Sequence, residues 1–70
     1  MKRIVLKRGR DESLRRFHPW VFSGAVDKIE GDPYEGEVVE VVSSDGEFLA
    51  YGHYQVGSIS VRVLAFDQEY

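Results

Sequence analysis

The sequence predicts a small, mostly β pseudo-barrel of mixed α+β class, with five or six strands and one short helix. Its 70 residues bury only about 60% of their unfolded surface on folding, which is enough for one core and one domain. Short runs rich in β-branched residues alternate with turn residues along the whole chain. A sheet of such short strands leaves unpaired backbone groups on its edge strands unless it curls towards closure, as small barrels do.

The strands are defined by these runs and by the glycines, prolines and polar residues between them. Five strands are predicted, over residues 3–7, 25–30, 37–42, 47–54 and 59–66. Asp45-Gly46 is the dipeptide favoured in type I′ turns, so the third and fourth strands are expected to form a hairpin. Gly52, inside the fourth strand, indicates a bulge or a sharp bend.

The helical segment is predicted over residues 11–17. Acidic residues begin it and Arg15 and Arg16 end it, as the helix dipole favours. Leu14 and Phe17 are three positions apart and are expected to share a buried face. Pro19 is expected to stop the helix, because the residue before a proline avoids the helical conformation.

The predicted core combines apolar strand residues with the aromatic residues that follow the helix. A lone tryptophan in so small a domain usually fills the core, because its ring buries a large area. The residues expected to be mostly buried are Val5, Leu14, Trp20, Phe22, Val39, Val41, Leu49, Ile59, Val61 and Val63.

Charge is divided unevenly along the chain, although the net charge is only −3. Residues 1–20 hold seven basic and two acidic side chains, a net charge of +5, whereas residues 21–70 hold two basic and ten acidic side chains, a net charge of −8. A cationic segment on an acidic domain can bind the phosphates of a nucleic acid. Alternatively, these cations only keep an edge strand solvated and unpaired.

An aromatic stretch directly follows two of these cations. Phe17, Trp20 and Phe22 surround His18, a pattern that also occurs on surfaces where cations fix RNA phosphates and rings stack on unpaired bases. We favour core positions for Trp20 and Phe22, and a structural hydrogen bond for His18. The candidate RNA-binding residues are Lys7, Arg8, Arg10, Arg15, Arg16 and His18.

Composition excludes several classes of site. The chain has no cysteine and two histidines, so we expect no disulfide, no cysteine nucleophile and no metal site. No catalytic motif is recognisable, and we therefore expect no catalytic residue. The apolar runs are too short for a membrane span or a signal peptide. A cytoplasmic location without a membrane partner is expected.

Six segments, taken in order, resemble the beginning of one enzyme family. They are LKRGR at 6–10, RRFHPWVFSGA at 15–25, IEGDP at 29–33, GEVVEV at 36–41, DGEFLAYGHY at 45–54 and SISVRVL at 58–64. Together they resemble the bacterial S-adenosylmethionine-dependent methyltransferases that make 5-methylcytosine in large-subunit (23S) ribosomal RNA. The resemblance covers nearly the whole chain, which makes it far more specific than any single segment.

The resemblance implies that residues 1–70 form one N-terminal PUA domain, an RNA-binding pseudo-barrel, of a longer methyltransferase. It implies ribosomal RNA and the downstream methyltransferase domain as partners. It also implies S-adenosylmethionine as a cofactor of the parent protein and no cofactor in this chain. The family's methyl-donor site and nucleophilic cysteine correspond to nothing here, so the chain alone is expected to be non-catalytic. The polar residues 67–70 are expected to lie at a domain boundary.

Two alternative functions stay open on the residues alone. One is an SH3-like barrel that docks a protein, and the other is an RNA-binding barrel attached to a different RNA-modifying enzyme. An exposed and continuous surface between Arg8 and Arg16 favours RNA binding, whereas burial of that surface by a partner favours docking.

Overall fold

The computed structural model describes residues 1–68, and Glu69 and Tyr70, the end of the expected domain boundary, lie outside the described residues. Six strands, one α-helical turn and a short 3-10 helix at Ser23–Ala25 follow one another within this range. They are β1 (Arg3–Leu6), α1 (Glu12–Arg15), β2 (Trp20–Phe22), β3 (Val26–Glu30), β4 (Val38–Val42), β5 (Phe48–Tyr54) and β6 (Ile59–Ala65).

The strands form one curled sheet, a half-barrel, in the order β2-β6-β5-β4-β1-β3. All neighbouring pairs are antiparallel except β1 and β4, which run parallel. This arrangement confirms the predicted mostly β pseudo-barrel with one short helix. The strands β2 and β3 are the two ends of the sheet, and the loop that joins β1 to α1 lies beside the β2 end.

The core is aliphatic. Its side chains are at most 8% exposed, and they come from five of the strands and from α1. They are Ile4, Leu6, Leu14, Val21, Val39, Val41, Leu49, Ala50 and Val61. Burial is confirmed for six predicted core residues, Val5, Leu14, Val39, Val41, Leu49 and Val61, whereas Ile59 and Val63 are half-buried.

The expectation that Trp20 and Phe22 fill the core is wrong. Trp20 is 40% exposed and Phe22 is 49% exposed, whereas Val21 between them is 3% exposed. The reason is the short strand β2, which the sequence pattern did not predict and which pairs with β6 at the end of the sheet. Side chains alternate between the two faces of a strand, so the inward position of Val21 directs both rings outward.

The helix is shorter than predicted and ends for a different reason. Its last turn is closed by two backbone hydrogen bonds, from Phe17 to the carbonyl of Leu14 and from His18 to the carbonyl of Ser13. Phe17 has a φ of +64°, so it is the residue in left-handed conformation that commonly ends such a helix. The helix therefore stops before Pro19 can act on it. Phe17 is 71% exposed, so the expected buried face contains Leu14 without Phe17.

The β4–β5 hairpin is confirmed, but its turn differs from the predicted type I′. The amide of Gly46 donates to the carbonyl of Ser43 at 2.9 Å, and Gly46 has a φ of +86° while Asp45 does not have a positive φ. This pattern is a turn followed by a glycine bulge. The hydroxyl of Ser43 accepts hydrogen bonds from the amides of Asp45 and Glu47, which holds the turn in this form.

The predicted irregularity at Gly52 is confirmed. Tyr51 pairs with Ala65 and Gly52 pairs with Val63, so Leu64 is the additional residue of a bulge in β6. A Cβ atom at Gly52 would lie 2.5 Å from the carbonyl oxygen of Arg62. A glycine is therefore required where these two strands approach each other.

We predict that Gly52→Ala lowers the free energy of unfolding by about 1–3 kcal/mol, because the added methyl group overpacks the β5–β6 contact. Gly24→Ala is the control, since a Cβ there meets no atom within 4 Å beyond its chain neighbours. Urea denaturation followed by circular dichroism measures both variants. Equal stability of Gly52→Ala and the parent would contradict the close approach.

Candidate nucleic-acid interface

The loop between β1 and α1 presents three cations on one tight turn. The amide of Arg10 donates to the carbonyl of Lys7 at 3.0 Å, and Gly9 has a φ of +79°. A positive φ at the third residue is what a type II turn requires. The side chains of Lys7, Arg8 and Arg10 are exposed, and none of them forms an ion pair with another residue between 1 and 68.

The two arginines of the helical segment are held by carboxylates. The Nε of Arg15 donates to Asp11 at 2.6 Å, and its Nη2 donates to Glu47 in the β4–β5 turn. The Nη2 of Arg16 donates to Glu12 at 3.1 Å. These pairs are solvent-exposed, and such pairs contribute little to stability. The paired carboxylates do, however, neutralise part of the positive charge of both arginines.

A groove of about 300 Å³ lies between the cationic turn, α1 and β2. The buried side chains of Leu6, Leu14 and Val21 line it. The exposed residues that line it include Arg10, Trp20, Phe22 and also Glu12, whose carboxylate is paired with Arg16. The groove therefore combines an apolar floor with a cation and two aromatic rings.

His18, Trp20 and Phe22 form a cluster of rings. Their centroids are 6.2–6.3 Å apart, and the Trp20 ring stands edge-on to both others. The amide of Trp20 donates to Nδ1 of His18 at 3.3 Å, so His18 makes the structural hydrogen bond expected of it. The same ring also belongs to the cluster, which keeps His18 beside the groove.

Arg62 is the residue of this surface that the sequence pattern did not reveal. It is the register partner of Trp20 on β6, and its guanidinium lies 5.5 Å from the centre of the Trp20 ring. That geometry is a cation–π contact. The sequence placed Arg62 only on the polar face of a strand, because the pairing of residue 20 with residue 62 is a long-range property.

The candidate residues thus fall into two groups. Lys7, Arg8 and Arg10 share one turn, and Arg10 and the His18 cluster lie at the same groove. Arg15 and Arg16 follow on the helical segment and are engaged by Asp11, Glu47 and Glu12. The surface from residue 7 to residue 18 is exposed at all six candidate positions.

Within residues 1–68, no group of three or more histidine, aspartate or glutamate side chains is placed to hold a metal ion. No helix in that range is long and apolar enough to cross a membrane.

The Asp11–Arg15 pair gives a pH-dependent prediction. The hydrogen bond from Arg15 holds the pKa of the Asp11 carboxyl below its ordinary value of 3.8. Because this pKa is lower in the folded state, the pair stabilises the fold above the ordinary value and loses that contribution as the pH falls through the folded-state pKa. We expect Arg15→Gln to raise the Asp11 pKa in an NMR titration. Arg16→Gln is the control and is expected to leave it unchanged; an Asp11 pKa insensitive to Arg15→Gln would contradict the pair.

Comparison with known proteins adds the family. Residues 4–66 match the family model described as a PUA-like domain. The chain is 52% identical over 67 residues to ribosomal RNA large subunit methyltransferase I of Vibrio cholerae. It is 53% identical over 68 residues to the protein of that name from Shewanella amazonensis, and 46% identical over 68 residues to the one from Yersinia pseudotuberculosis.

These alignments cover 94–96% of this chain but only 17% of each relative. The part that is shared is the curled β domain itself, and the match over residues 4–66 agrees with the resemblance noted in the sequence. The chain belongs to the family of PUA-like domains.

Proposed function

We propose that this domain is the RNA-binding module of a ribosomal RNA methyltransferase. The observation that carries the proposal is the groove between the β1–α1 turn and β2, which is lined by Arg10 and by the exposed rings of Trp20 and Phe22, with Lys7 and Arg8 exposed on the same turn. Cations bind phosphates without sequence preference, and rings provide a surface for bases. The names of the relatives, ribosomal RNA large subunit methyltransferase I, support ribosomal RNA as the ligand.

The finer proposal concerns the parent protein. Residues 1–70 would be its N-terminal domain, and the methyltransferase domain downstream would be the second partner of this chain. The parent would use S-adenosylmethionine to methylate C5 of a cytosine in ribosomal RNA in the cytoplasm. The resemblance of the six sequence segments supports this proposal, and the 17% coverage of the relatives leaves ample length for such a domain.

Methyl transfer needs groups that this chain does not carry. The methyl-donor site of the family that the sequence resembles corresponds to nothing in residues 1–70, which contain no glycine-rich nucleotide-binding motif. Cytosine-C5 methylation also needs a cysteine nucleophile in the family that the sequence resembles, and the chain has no cysteine. We therefore propose that the domain binds RNA and takes no direct part in methyl transfer.

The cations are expected to contribute unequally to RNA binding. Lys7, Arg8 and Arg10 have no carboxylate partner among the described residues, so a phosphate meets their full charge. Arg15 and Arg16 must leave or share their carboxylates before they bind a phosphate. Both groups belong to the proposed RNA surface, but the turn should contribute more than the helix.

We predict that Arg8→Ala/Arg10→Ala reduces the slope of log affinity against log salt by about 1.4, because single-stranded RNA loses about 0.7 per phosphate contact removed. The matched variant Arg15→Ala/Arg16→Ala removes the same charge and should reduce the slope by less. Fluorescence anisotropy with a ribosomal RNA fragment at several salt concentrations measures both slopes.

Arg3→Ala/Lys28→Ala is the control for net charge. Arg3 is four residues from Lys7 along β1, about 13 Å in an extended strand, which exceeds the screening length of about 8–10 Å. Lys28 lies on β3 and does not line the groove. Equal slopes for the control and the turn variant would show that only net charge matters. RNA binding unaffected by all three variants would favour the protein-docking alternative.

We also predict that the chain alone neither binds S-adenosylmethionine nor methylates RNA, for the reasons given above. Isothermal titration calorimetry with the methyl donor tests the binding. A dissociation constant in the micromolar range would overturn the assignment of methyl-donor binding to another part of the parent.

A further inference from the structure

We propose that the groove beside β2 holds one unpaired RNA base, stacked on the Trp20 ring and in edge contact with the Phe22 ring, so that the domain selects single-stranded RNA over duplex RNA. This inference rests on the proposed function and adds to it the form of RNA that the surface recognises. Four features of the structure support it.

The first feature is the exposure of rings that the core does not use. Every hydrophobic side chain that is at most 8% exposed in residues 1–68 is aliphatic, so Trp20 and Phe22 lie outside the packed interior. Each leaves a large part of its apolar surface in water, at 40% and 49% exposure. Contiguous exposed apolar surface beside polar groups is typical of binding sites.

The second feature is that Trp20 is held in a defined orientation before any ligand arrives. Arg62 covers its ring at 5.5 Å, the strand pairing fixes its backbone opposite Arg62, and its amide donates to His18. The Phe22 ring stands at 83° to it. A surface already ordered in this way loses little conformational freedom on binding.

The third feature is the chemistry at the two sides of the groove. The charged side chains that line the groove are Arg10 and Glu12, and Glu12 is paired with Arg16. The unpaired charge beside the aromatic rings is therefore that of Arg10, which suits a ligand that combines a planar apolar face with negative charge. A nucleotide has both in adjacent groups. An acidic peptide satisfies the cations but has no regular planar group beside each charge.

The fourth feature is size. The groove has a volume of about 300 Å³, the lower end of the roughly 300–1,000 Å³ range of ligand pockets, which suits one base and not a run of bases. In a duplex, the faces of the bases are hidden by stacking on their neighbours, and RNA is recognised through its backbone and shape. A single ring-lined groove therefore favours an unpaired base in a loop, a bulge or a single strand.

The test uses Trp20→Leu/Phe22→Leu, which keeps apolar bulk but removes both π faces. We expect affinity for a short oligouridylate to fall at least fivefold, since base–aromatic stacking contributes about 5- to 150-fold per base. Affinity for a blunt RNA duplex should change less than twofold, and the salt slope should be unchanged because no charge is removed. The single variant Trp20→Phe keeps an aromatic ring at this position and should retain most of the parent chain's affinity for the oligouridylate.

Phe17→Leu is the matched control. Phe17 is also an exposed ring, at 71%, but it packs edge-on against Phe66 and does not line the groove. Its replacement should leave affinity for both RNAs unchanged. Trp20 is the only tryptophan, so quenching of the fluorescence of the unaltered chain by the oligouridylate, and not by the duplex, reports stacking directly. Circular dichroism checks that each variant is folded.

The outcomes separate the two proposals. If the Arg8→Ala/Arg10→Ala variant weakens RNA binding while the leucine variant binds the oligouridylate like the parent, the stacking inference is wrong and the RNA-binding function stands. Equal losses for single-stranded and duplex RNA would also overturn the selection of unpaired bases. If the parent chain binds neither RNA, both proposals fail and the exposed rings belong to a protein-docking surface.

Discussion

The pairing of β2 with β6 is the interaction on which the candidate site depends. Val21 pairs with Val61, and both side chains are at most 3% exposed. Backbone hydrogen bonds from Val63 to Pro19 and from Ser23 to Ser58 extend the contact beyond the three residues of the strand. With Val21 fixed in the core, the neighbouring residues must face outward, and the position of the rings follows from a single buried valine.

The ion pairs of Arg15 restrict the position of α1, which borders the same groove on the side opposite β2. Its guanidinium connects Asp11, at the start of the helix, to Glu47, in the β4–β5 turn. An exposed pair adds little free energy of folding, but two carboxylates from separate elements restrict where a helix of one turn can lie. The same contacts weaken the field of Arg15. Arg15 therefore mainly positions the helix, whereas the cations of the turn at residues 7–10 provide charge that no carboxylate of the described residues neutralises.

Most of the fold could be predicted from the sequence, because long strands carry a local signal. The runs that contain β1, β3, β4, β5 and β6 are each four or more residues long, and Gly52 and Gly46 indicate the irregularities between them. The strand β2 has only three residues, too few for an alternation to be recognised, and its partner lies about 40 positions away. The exposure of Trp20, the left-handed Phe17 and the role of Arg62 all depend on that pairing or on backbone hydrogen bonds. The candidate cations could be identified from the sequence, whereas their different degrees of neutralisation required the geometry.

The aliphatic core leaves the cations and the aromatic rings at the surface, and these groups determine what such a domain can recognise. Phosphate contacts from Lys7, Arg8 and Arg10 would position an RNA without reading its sequence. Stacking on Trp20 would likewise accept every base, because each base has a π face. Neither contact supplies the hydrogen-bonded base edges on which sequence discrimination depends. The described surface therefore suits recognition of the form of an RNA, an unpaired base next to its backbone, and the choice of a particular nucleotide would need hydrogen bonds to the base edge in addition to these two contacts.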